Sequence, residues 1–188
     1  MLSAIIQEEM RKLILCTIFI LSSIIAWGQE TNNFSVKDGG IVWQRVYQSQ
    51  LDSSSIASAL IATGQVTDVA GIPGGIVCHI APRSLDYRGA GYSRGAAAMY
   101  IVNRQMEGHA TIQLRDGRYR VTVDRMVFVA STETSLSRVG ERTPLEDYAM
   151  SRKGEIKSVF TSMNASGIID YDLGKLFDFK VVTDEEDW

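Results

Sequence analysis

The chain has 188 residues, of which 45% are hydrophobic, and a formal net charge of −3. A chain of this length can bury a core of its own as one domain, so disulfide or metal staples are not required. Mild acidity argues against nucleic acid as a partner, which calls for a basic face. Two cysteines and two histidines leave no cluster for zinc, and no metal or cofactor is expected.

The chain starts with its most informative segment. In MRKLILCTIFILSSIIAWGQE, residues 10–30, Arg11 and Lys12 precede an apolar run from Leu13 to Ala26, followed by Trp27 and Gly28. Small residues at Ala26 and Gly28 match what a signal peptidase reads, so residues 1–28 are expected to be a secretory signal peptide cleaved after Gly28. The run is shorter than the about 20 residues that span a bilayer, and no transmembrane segment is expected after cleavage. Glu8 and Glu9 ahead of the basic pair are out of keeping with such a signal and point to a true start at Met10. Cys16 sits inside the apolar run behind Leu15, which excludes a lipid-anchor site there. The expected location is periplasmic or secreted. Cys78 is then the lone cysteine of the mature chain, and burial as a small apolar residue is its expected fate.

Residues 29–39 are polar and read as a linker, leaving a single domain over residues 40–180 and an acidic tail over residues 181–188. Ile41 to Gln48 mixes β-branched and aromatic residues and predicts a strand. In LDSSSIASALIATG, Asp52 caps a helix, Leu51 can staple onto Ile56, and Gly64 closes the far end. Its stripe of Ile56, Ala57, Leu60 and Ile61 should lie on a sheet. After a turn around GIPGG, Ile76 to Ala81 predicts the next strand. Neighbours in a strand point to opposite faces, so Cys78 and His79 cannot form a dyad.

GHATIQLRDGRYRVTVDRMVFVA carries the clearest local signal, a favoured Asp116-Gly117 turn between strongly alternating strands. A two-residue loop sets Arg115 opposite Arg118, Gln113 opposite Arg120 and His109 opposite Asp124. Ala110, Ile112, Leu114, Tyr119, Val121 and Val123 then face the core, and Thr111, Gln113, Arg115, Arg118, Arg120 and Thr122 face water. The opposed arginines suit either an anion or a solvated rim, and pairing with Asp124 makes His109 structural rather than catalytic. Residues 131–155 break regular structure, with one helical turn at PLEDYA. Ile168, Ile169, Leu173, Leu176 and Phe177 recur at helical spacing and predict a last helix from Asn164 to Asp178, with Asp170, Asp172 and Lys175 on its solvated side. Gly174 weakens that helix by about 1 kcal/mol relative to alanine.

The fold class that follows is α+β, a curved antiparallel sheet with two helices on one face in the order β-α-β-β-β-β-α. DGRYRVTV, preceded by YRGAGYSRG and YIVN and followed by TPLEDYA and LFDF, resembles an exported family of unknown function from Gram-negative gut bacteria. That family is described as having a TATA-box-binding-protein-like (TBP-like) fold. The resemblance covers residues 36–180 and implies a curved sheet gripping its last helix. It implies no catalytic residues, and the fold's name refers to shape alone.

GAGYSRGA, residues 89–96, contains the G-x-S-x-G pattern of a hydrolase elbow. The stretch before it, RSLDYRGA, is too polar for a buried strand, and His109 follows too closely, so the triad order is wrong for a Ser93 nucleophile. The glycine spacing also misses the dinucleotide pattern. What remains is a bent connection using Gly89, Gly91 and Gly95, on which Tyr87, Arg88, Tyr92 and Arg94 form a candidate contact region; the alternative is that Tyr92 packs on the sheet and the arginines stay solvated. Two functions stay open. One is a non-catalytic exported module binding an envelope protein, a glycan or a small amphiphile, with room between the sheet and the last helix. The other is a small hydrolase using Ser93, or a carboxylate pair such as Glu146 and Asp147, although carboxylates adjacent in sequence on a helical turn diverge.

Overall fold

Seven strands make one antiparallel sheet in the computed structural model, which describes residues 33–133, 137–162 and 164–179. They are β1 (Phe34–Lys37), β2 (Gly40–Gln48), β3 (Val66–Ile72), β4 (Gly75–Arg83), β5 (Arg104–Arg115), β6 (Arg118–Ala130) and β7 (Arg142–Pro144). Their order across the sheet is β1-β2-β6-β5-β4-β3, with β7 also pairing with β6. The helical segments are α1 (Ser53–Ala62), α2 (Met99–Asn103), α3 (Leu145–Ala149), α4 (Ser158–Ser162) and α5 (Ala165–Leu176). The α+β class holds. No helix among the described residues is long and apolar enough to cross a membrane. The expected signal peptide over residues 1–28 and the acidic tail over residues 181–188 lie outside the described residues.

The β5–β6 hairpin forms in the expected register, with Arg115 opposite Arg118, Gln113 opposite Arg120, Ile112 opposite Val121 and His109 opposite Asp124. Asp116 (φ 47°) and Gly117 (φ 72°) take the left-handed conformation that a two-residue turn of this hand requires. Further along, the register shifts between Glu107 and His109, and Arg125 sits at φ 50°. This bulge keeps Met106, Met126 and Phe128 buried, as Ala110 and Val123 are before it.

Three strands depart from the expected order. Residues 34–39, expected within a linker, form β1 and a tight turn at Asp38-Gly39, because Phe34 is buried and edge-to-face with Phe160, 5.1 Å between ring centroids. β3 is a strand that alternation does not reveal, since its register shifts between Thr67 and Ala70 around Asp68 at φ 54°. β7 is only Arg142–Pro144 and is held by pairing with Val127–Val129.

Both main helices lie on one face. Asp52 caps α1, its Oδ1 accepting from the Ser55 N–H at 2.7 Å, and Gly64 follows at φ 63°. Ile56 and Leu60 are buried as expected, whereas Ile61 points to solvent. α1 packs toward the β3 and β4 side, and α5 lies against β2. Ile168, Ile169, Leu173, Leu176 and Phe177 are all buried with Trp43, Tyr119 and Val121 in a single core. The space under α5 is filled by aromatic rings: Trp43 stacks on Phe177 at 6.4 Å and Tyr47 on Tyr119 at 5.0 Å.

Candidate functional site

Asp170 and Asp172, expected on the solvated side of α5, turn into the structure, and this is what fixes the helix. Asp170 Oδ1 accepts from Trp43 Nε1 at 2.7 Å and from Asn33 Nδ2 at 2.6 Å. Asp172 is buried; its Oδ1 accepts from the Asp86 N–H at 3.0 Å, and its Oδ2 lies 2.8 Å from Arg83 Nη2 as an ion contact, off-line for a hydrogen bond. Burial raises the Asp172 carboxyl above the usual carboxylate range, opposed by Arg83. At the helix C-terminus two tyrosines of the sheet satisfy free carbonyls: Tyr47 Oη donates to Gly174 O at 3.1 Å, and Tyr119 Oη to Phe177 O at 2.6 Å. Desolvation pushes the Tyr119 hydroxyl up to about 12 and raises that of Tyr47 as well, so both remain donors.

The connection holding the candidate contact residues is built against this anchored helix. Asp86 Oδ1 accepts from the Gly89 N–H at 2.8 Å, and a β-carbon on Gly89 would meet Asp86 Oδ2 at 2.2 Å. Gly91 sits at φ 87°, the left-handed region. Gly95 has neither constraint, and its α-carbon faces open space. Asn164 Nδ2 donates to Ala96 O at 3.0 Å, tying the far end of the connection to the start of α5. Tyr87 and Tyr92 are half-buried and packed on the core. Arg88 and Arg94 are exposed, the Arg88 guanidinium lying 5.8 Å from the Tyr87 ring. The four residues thus share one connection but not one environment.

Ser93 is exposed; its carbonyl accepts from the Ala96 and Ala97 N–H groups, and its hydroxyl has no partner among the described residues. This connection packs on α5 over the helix-covered face. His109 looks the other way, with Nδ1 3.3 Å from Asp124 Oδ1, and His79 is its cross-strand neighbour. Glu146 and Asp147 also separate: Glu146 Oε1 accepts from the Ile41 N–H at 2.8 Å, while Asp147 is exposed. Cys78 is buried, and desolvation pushes its thiol up to about 11, the behaviour of a packing residue rather than a reactive one.

The second face of the sheet has no helix over it among the described residues. Val46, Thr111, Gln113, Thr122 and His79 alternate with core positions on β2, β5, β6 and β4, so they stand on this uncovered side. Its two ends differ in charge. At one end the buried Glu107 is gripped by Arg142 Nη1 at 3.1 Å and by Nη2. At the other, Arg115, Arg118 and Arg120 surround a recess of about 520 Å³ walled by the Pro73-Gly74 turn. A further recess of about 600 Å³ opens beside α5, lined by Arg45, Tyr47, Asp170, Tyr171, Lys175 and Asp178.

No family model matches the chain, and no curated protein matches it. Among solved structures it is similar to a TBP-like protein from Parabacteroides distasonis ATCC 8503, at 13% identity and a TM-score of 0.47, over 77% of this chain and 94% of that one. It is also similar to a DUF4468 family protein from Bacteroides ovatus ATCC 8483, at 10% identity and a TM-score of 0.44, over 80% and 93% of the two chains. Both neighbours are of the kind that the sequence resemblance names, a TBP-like protein and a member of a family of unknown function.

Proposed function

We propose that the protein is an exported, non-catalytic binding module that contacts an envelope protein or glycan through the uncovered face of its sheet. One observation carries this reading: the same strands seal one face under α1 and α5 and, among the described residues, leave the other without a covering helix. A half-polar antiparallel face of this kind is a ready recognition surface. The aromatic layer packed between α5 and the sheet disfavours the small amphiphile, because rings occupy the place it would take. Arg88 and Arg94 on the connection offer a smaller secondary contact. The export signal over residues 1–28 supplies the compartment.

The hydrolase alternative has less support. The Ser93 connection packs on α5, on the far side of the sheet from His109, so base and nucleophile would need to meet across the sheet. A fluorophosphonate probe tests this on the full chain, with no modification of Ser93 expected. Labelling that disappears in Ser93→Ala overturns the binding reading. Hydrogen exchange of the amides of β4 and β5 in the presence of soluble envelope glycans and purified envelope proteins tests the surface. Protection confined to the uncovered face supports the reading, and protection confined to Tyr87–Arg94 moves the contact to the connection.

A further inference from the structure

We infer that the arginine end of the uncovered face binds the phosphate group of a small soluble ligand. This rests on the reading of that face as the contact surface and names the chemistry of one part of it. Arg115 and Arg118 are direct cross-strand partners, and Arg120 follows two residues along β6 on the same side. All three are exposed around one recess of about 520 Å³, within the range of about 300–1,000 Å³ typical of small-ligand sites.

Their local partners leave positive charge uncompensated. Arg115 has Asp116 at 3.2 Å, a contact at the turn between two side chains 81% and 79% exposed and therefore screened. Arg120 donates to the Gln113 amide oxygen, which is neutral. Arg118 has no side-chain partner among the described residues. A chain of net charge −3 thus concentrates three guanidinium groups against one carboxylate. Three forks of fixed planar geometry suit a phosphate monoester, which carries about −1.5 to −2 charge and three acceptor oxygens. The wall opposite is fixed, since Gly74 O accepts from the Leu114 N–H at 3.0 Å, and Val46 supplies an apolar edge for the rest of the ligand.

The test is an amide-resolved NMR titration of the full chain with glucose 6-phosphate, run against glucose and against sodium sulfate at matched ionic strength. Saturable shifts are expected at Gly74 and over Gln113–Arg120 with the phosphate ester alone. The double variant Arg118→Gln/Arg120→Gln should weaken binding by about tenfold or more, with an unchanged spectrum elsewhere because both side chains are exposed. Arg152→Gln, at an exposed arginine outside the recess, should leave the affinity as it was. Equal shifts with glucose or sulfate overturn the inference, as does retained affinity in the double variant. A response only to vesicles containing phosphatidic acid assigns the end to a lipid surface instead, and one that requires removal of residues 183–188 assigns it to the acidic tail. A silent titration alongside hydrogen-exchange protection of the uncovered face overturns the phosphate assignment and leaves the surface reading standing.

Discussion

The two faces of the sheet are made by the same strands, and they treat polar groups in opposite ways. On the covered face three polar groups of the sheet that go in meet a partner placed for them: the Trp43 indole N–H finds Asp170, and the Tyr47 and Tyr119 hydroxyls find carbonyls at the end of α5. On the uncovered face Val46 stands 52% exposed and Arg118 has no side-chain partner among the described residues. Removal from water explains the difference. A buried donor without an acceptor costs about 1–3 kcal/mol, whereas an exposed one keeps its water. Side chains of the covered face therefore report on folding, and the exposed ones of the uncovered face, unlike the buried Glu107, are free to serve contact.

Removing a keystone of the covered face is the strongest way to break this contrast. Trp43→Ala takes away the largest fully buried side chain and strands the Asp170 carboxylate against Asn33 alone. A loss of about 3–5 kcal/mol is expected by urea unfolding. A loss below about 1 kcal/mol would mean that α5 is not seated on Trp43.

A pH titration sharpens the same contrast. The Cys78 thiol, at about 11 in the folded state against 9.0 as an ordinary thiol, keeps its proton in the folded chain after the unfolded chain has lost it. The raised value stabilises fully below pH 9 and is lost as pH rises toward 11. At about 1.4 kcal/mol per pKa unit, a fall of about 1–3 kcal/mol is expected, with Tyr119 and Tyr100, both at about 12, extending it in the same direction. Cys78→Ala should flatten the first part of the curve in thermal melts at stepped pH.

Tyr119→Phe is gentler, because the ring and its stacking on Tyr47 remain. Only the hydroxyl goes, leaving Phe177 O and the Phe179 N–H with just their mutual contact at 3.2 Å. About 1–2 kcal/mol should be lost, with hydrogen exchange speeding up at the end of α5 first.

The covered face was legible in sequence where local chemistry dictates it. Asp116-Gly117 fixes the hairpin register, and strict alternation up to Val123 assigns the sides. Legibility stops at Arg125, because one left-handed residue in a bulge reverses the alternation without leaving a residue-type signal. β3 is lost for the same reason at Asp68. β1 reads as linker because what makes it a strand is Phe160, far along the chain. Asp172 was the most misleading: a carboxylate on a helix reads as solvated, and the Arg83 that makes its burial tolerable lies on another element. The candidate site divides likewise. The opposed Arg115 and Arg118 could be read from the turn, but the recess beside them also needs the Pro73-Gly74 turn, which β3 and β4 bring alongside.

The smallest expected effect tests the uncovered face itself. Thr122, half-buried, pairs across the strands with Thr111, and its Oγ1 accepts from the exposed Gln44 Nε2 at 3.0 Å. Cross-strand pairs of this kind contribute about 0.2–1 kcal/mol, and water replaces the lost acceptor at no burial cost. Thr122→Ala should therefore change stability by less than about 0.5 kcal/mol, although its neighbour Val121 sits at the centre of the core. A larger loss in urea unfolding would show that Thr122 is shielded in solution, by a second copy or by another segment of the chain. Repeating the measurement across a range of protein concentrations separates these two, because only a second copy makes the loss depend on concentration.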